Sequence, residues 1–174
     1  MAEHSYTSRQ ELDQYVFHPA VTLLAPLACI LLQVTLPKVW PPLAIVDLPL
    51  IAVVFFAVAR RSPVAGTVTG TIIGLFQDGL TNHLFGVYGI AKAIIGYISG
   101  SIGFAVDVEN VVNRVLLNFF ASLMQSGIVY LITKWLLGDA TVRLMPLHEL
   151  ARGGCNAAVA VPLFFLLDRF RIRE

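Results

Sequence analysis

Long apolar stretches separated by short polar or proline-rich breaks dominate the chain. A bilayer-spanning helix needs about 20 mostly apolar residues, and six stretches approach or exceed that length. Helices are expected over residues 20–36, 43–59, 64–80, 85–106, 111–137 and 150–167. The breaks are Lys38 with Trp40, Pro41 and Pro42, then Arg60-Arg61-Ser62-Pro63, a turn near Phe85, the polar run 107–110 and a longer loop over 138–149. Helix 3 is the weakest by hydropathy, being rich in Gly and Thr. Before helix 1 the pattern changes: residues 1–18 are polar, and Ser8-Arg9-Gln10-Glu11 fits a capping box. That segment reads either as a short helix lying on the membrane or as a frayed tail.

Composition supports a lipid-embedded chain. Of 174 residues 57% are hydrophobic and 13% charged, against about 25% charged in soluble domains. The expected class is all-α: a polytopic bundle of about six transmembrane helices. Its organisation is a polar cytoplasmic segment (1–18), a transmembrane domain (19–169) and a cytoplasmic tail (170–174). No room remains for a soluble catalytic domain, and no cofactor is expected. A net charge of +1 offers no electrostatic case for a nucleic-acid partner. The two cysteines, Cys29 and Cys155, sit in apolar runs without metal-ligand spacing and read as small hydrophobes. The N-terminus does not resemble a signal peptide.

Lys and Arg on alternate sides set the orientation. With both termini cytoplasmic, the inside holds Arg9, Arg60, Arg61, Arg114, Arg169, Arg171 and Arg173, whereas the outside holds Lys38, Lys134, Arg143 and Arg152. That excess favours cytoplasmic termini.

The polar residues within spans are the candidate sites. Helix 3 carries Gly66, Gly70 and Gly74 at spacings of four, with Asp78 the next step of that row. Helix 4 carries Gly89, Lys92, Gly96, Gly100 and Gly103 close to one stripe. Small residues at this spacing let helix backbones approach closely. Asp78 and Lys92 are equidistant from the turn at Phe85, so an ion pair across the hairpin is expected, either as a register clamp or as a polar site. Asp47 either caps helix 2 at the headgroups or joins these charges around a shallow cavity. Helix 5 carries the row Arg114, Asn118 and Gln125, flanked by Ser122 and Ser126, which must face protein because lipid would not solvate it. It could face the bundle interior or another subunit. Pro26, Pro49 and Pro162 are expected to kink helices 1, 2 and 6. No nucleophile turn, phosphate loop or paired metal-ligand motif appears, so catalysis is not expected.

The stretch Gly74-Leu75-Phe76-Gln77-Asp78-Gly79-Leu80, then Phe85-Gly86, then Gly96-Tyr97 and Gly100, resembles the signature of the MreD family of bacterial rod-shape-determining membrane proteins. Asp47-Leu48, the small size and the short loops also fit. Lys92 and Leu84 depart from the family's usual apolar or small residue and proline. The resemblance implies a non-enzymatic inner-membrane scaffold that binds an MreC-like single-span protein. It would help couple MreB filaments to a RodA-like synthase and its penicillin-binding partner. It further implies a fold similar to the substrate-binding subunits of energy-coupling-factor vitamin transporters. The alternative is therefore a small-molecule-binding membrane subunit, which would need longer loops around a polar pocket.

Overall fold

The computed structural model describes residues 19–81, 84–106, 110–139 and 141–170. The expected polar segment 1–18, the polar connection at 107–109 and the tail beyond 170 lie outside those residues. Among the described residues six helices run in order: α1 Pro19–Val39, α2 Leu48–Arg60, α3 Pro63–Thr81, α4 Val87–Ile102, α5 Val111–Leu131 and α6 Pro146–Asp168. A 3-10 turn over Pro41–Ile45 precedes α2, and a π-helical turn over Ile132–Leu136 prolongs α5.

The burial pattern is that of a membrane bundle. Leu23 and Val64 are more than 70% exposed, whereas Lys92 and Asn118 are wholly buried. Lipid-facing surfaces accept leucine and valine, and polar groups must find partners inside. Helices α1, α5 and α6 are long and apolar enough to cross a membrane. α2 and α4 are apolar but shorter. At 13 residues α2 is only about 20 Å long. It need not meet lipid, because every residue from Pro49 to Ala59 is buried by the other helices. Phe55 stacks edge-on against Phe56 and Phe164 at its centre.

Three boundaries differ from expectation by four residues or more. α2 starts at Leu48 and not at 43, because the Pro41-Pro42 pair settles into a 3-10 turn and Asp47 supplies a new cap. Pro49 therefore starts α2 instead of kinking it, at a position where a missing N–H costs nothing. α6 starts at Pro146, so Glu149 and Arg152 belong to a helix and not to a loop or its edge. α4 ends at Ile102, four residues early, at Gly103. Pro26 and Pro162 do lie inside α1 and α6.

The tightest packing joins α3 to α4. A Cβ at Gly66 would lie 2.2 Å from the Gly96 carbonyl oxygen, and one at Gly70 only 2.1 Å from that of Lys92. Gly74 faces the Tyr88 carbonyl and Gly100 faces that of Ser62 in the same way. The glycine rows thus bring two backbones into contact, with no side chain between them.

Candidate functional site

α2 begins inside the bundle, so its free amides need partners that water would otherwise supply. Asp47 provides the first: its Oδ1 accepts from the Leu50 amide at 3.0 Å. The Leu48 amide donates to Gln33 Oε1 at 3.0 Å, and the Asp47 amide donates to Asn156 Oδ1 at 2.8 Å. Pro49 has no amide hydrogen to satisfy. One helix end therefore recruits side chains from α1 and α6.

The second carboxylate oxygen of Asp47 collects the charges. Lys92 Nζ donates to it at 2.9 Å and Gln125 Nε2 at 2.6 Å. Lys92 also donates to Gln125 Oε1 at 2.7 Å, closing a three-residue ring among α2, α4 and α5. The Arg152 guanidinium stands 3.6 Å from the same Asp47 oxygen and hydrogen-bonds the Tyr88 side chain. Asn156 Nδ2 donates to Ser122 Oγ at 2.8 Å, and Ser126 donates to Glu149. Two acids, Asp47 and Glu149, thus stand with two bases, Lys92 and Arg152. The formal charge of the cluster is zero, which suits a medium that stabilises isolated ions poorly.

This arrangement corrects the expected Asp78–Lys92 pair. Asp78 instead faces the start of α4, where its carboxylate accepts from the amides of Gly86 at 2.9 Å and of Tyr88 and Gly89 at 3.2 Å each. It ties the hairpin shut. Gly86 sits at φ +101°, a conformation that favours glycine and turns its amide toward Asp78. Asp78→Ala should therefore cost about 2 kcal/mol or more by stranding three amides. Asp78→Asn should cost less, because one carbonyl oxygen remains. Denaturant unfolding in detergent would measure both.

Asp47 is both a cap and a cluster member, and it is 1% exposed, so its carboxylate does not touch headgroup water. The Arg114, Asn118 and Gln125 row faces the bundle interior, but its members serve different levels. Gln125 joins the Asp47 cluster. At the opposite end of the bundle Arg114 pairs with Asp168 at 2.6 Å and lies over the Phe164 and Phe165 rings. Asn118, between them, donates to the Arg114 carbonyl at 2.9 Å. Gly74, Gly96 and Gly100 form the α3–α4 contact, while Tyr97 is half-exposed on the outer face of α4 and joins none of these groups. Gln33, Arg152 and Asn156 were missed from sequence. Gln33 and Asn156 are amides alone in apolar runs, and that isolation is the signal that could have marked them. Among the described residues no cluster of His, Cys, Asp and Glu could hold a metal ion. Outside the spans, hydrogen bonds from Thr141 hold the Asp139 carboxyl below the usual carboxylate range.

The fold and its interior of paired charges define a helical membrane protein whose buried charges serve one another. The family model for the rod shape-determining protein MreD matches residues 15–171, nearly the whole chain. The chain belongs to the MreD family, and that membership supports a role in rod shape determination. No curated protein and no solved structure gives a match.

Proposed function

We propose that the chain is a non-enzymatic scaffold of the cell-elongation complex in the bacterial inner membrane, with both termini cytoplasmic. In this reading it binds an MreC-like single-span partner and helps couple MreB to a RodA-like synthase and its penicillin-binding partner. The family match over residues 15–171 carries the reading. The closed cluster around Asp47 supports it, since its polar groups are engaged with one another and its charges sum to zero. Counted along the whole sequence, the side on which α1 starts and α6 finishes collects seven Lys and Arg against four on the other, which supports cytoplasmic termini.

Co-purification from native membranes in mild detergent tests the proposal. MreC-like and RodA-like proteins should be retained on the tagged full-length chain at stoichiometric levels. Recovery of the chain without either would overturn the elongation-complex reading, and co-purification with transporter ATPases would favour a transport subunit instead.

A further inference from the structure

A groove of about 470 Å³ opens toward lipid between α1 and α3. Its walls are Thr22, Pro26 and Ile30 from α1 and Val68, Ile72 and Phe76 from α3. Arg60, the last residue of α2, lines it too. Helices α1 and α3 run the same way, each rising from the end of the bundle where α2 finishes. Arg60 therefore stands at the mouth of the groove and the apolar walls lead inward from it.

The dimensions choose among occupants. From Thr22 to Ile30, and equally from Val68 to Phe76, is eight residues of helical rise, about 12 Å. That is close to one leaflet of a hydrocarbon core about 30 Å thick. A partner transmembrane helix would need a track along the whole core, about 30 Å, and these walls run for only about 12 Å. An acyl chain needs one leaflet and an apolar wall. The charge at the mouth adds the second requirement: Arg60 is half-buried, adjoins Arg61, and has no acidic partner among the described residues.

The geometry points to a binding site for an anionic phospholipid, one acyl chain lying between α1 and α3 and the phosphate held at Arg60. The groove persists because Pro26 faces it with a short ring where a longer side chain would fill the space, and because α1 rests mainly on α2 and touches α3 more sparsely. The lipid completes the contact that α1 and α3 leave open.

The test uses the purified full-length protein in neutral detergent, titrated with phosphatidylglycerol or phosphatidylcholine and read by native mass spectrometry. The one arginine lining the mouth sets the expected preference for phosphatidylglycerol at about fivefold. Arg60→Gln should remove most of it. Val68→Trp, which enters the groove from the lipid side and disturbs no core residue, should lower retention of both lipids with helicity unchanged. Equal retention of the two lipids overturns the proposal, as does undiminished preference in Arg60→Gln or undiminished retention in folded Val68→Trp. In native membranes, benzoylphenylalanine placed at position 68 should cross-link to phospholipid. A cross-link to a second protein, or to residues 1–18 of the same chain, would show a different occupant and overturn it.

Discussion

Lys92→Met should be the most damaging single substitution at the polar cluster. It leaves Asp47 wholly buried with the Gln125 and Leu50 amides and one cation 3.6 Å away, where it had an ammonium at 2.9 Å. Breaking one side of a buried pair costs about 3–5 kcal/mol, because the remaining charge has lost its compensation. Asp47→Asn should be similarly severe, stranding Lys92 and weakening the α2 cap. The double variant Asp47→Asn/Lys92→Met removes both charges and should recover much of the loss, since an asparagine still accepts from the Leu50 amide and a methionine fills the lysine's volume. Unfolding of all four proteins in a denaturant series gives the coupling energy. Additive losses would show that Asp47 and Lys92 do not stabilise one another. The same cycle built on Asp78 and Lys92 should show little coupling, because Asp78 is bound to backbone amides.

The second large effect lies in the α3–α4 seam. Gly70→Val would place a branched side chain where even a Cβ would lie 2.1 Å from the Lys92 carbonyl oxygen. That neighbour is backbone in a helix and cannot swing aside, so the two helices must separate. Overpacking typically costs about 1–3 kcal/mol, and this site should reach or pass the upper end because the contact is main chain on both sides. The damage should spread, since Lys92 lies on the displaced stretch of α4 and its ammonium must still reach Asp47. Gly127→Ala is the matched control: nothing lies within 4 Å of its added carbon. It should change stability by no more than about 0.5 kcal/mol. Equal effects at Gly70 and Gly127 would sink the close-packing account.

Particular residues explain what could be read in advance. The glycine rows of α3 and α4 were legible because helical periodicity alone puts Gly66, Gly70 and Gly74 on one face. The inward orientation of Arg114, Asn118 and Gln125 was legible because lipid permits no other. The depth of Lys92 was also legible, and Asp47, Asp78 and Lys92 do lie toward the same end of the bundle. Pairing was not legible, because depth says nothing about direction around a helix axis. Lys92 shares its level with two carboxylates, and only the three-dimensional placement of α2 decides that Asp47 receives the ammonium. Asp78 was free to be taken by Gly86, Tyr88 and Gly89 because a backbone turn leaves no trace in charge patterning. Arg152 was hidden by the boundary of α6: with the helix starting at 150 it reads as a surface charge, and with Pro146 as the first residue it lies a turn and a half inside.

The complete enclosure of α2 also bears on how the chain is made. A ribosome delivers α2 second, before α3, α4, α5 and α6, which supply most of its surroundings. When α2 first enters the bilayer, the Leu48 amide can meet Gln33 of α1, but Lys92, Gln125, Arg152 and Asn156, the partners of Asp47, have not yet been synthesised. Its seat is finished only when α6 arrives, nearly a hundred residues later. Until then Asp47 must stay near water, and α2 must stand shallow or loosely held, so the final depth of the second helix is set by the last one.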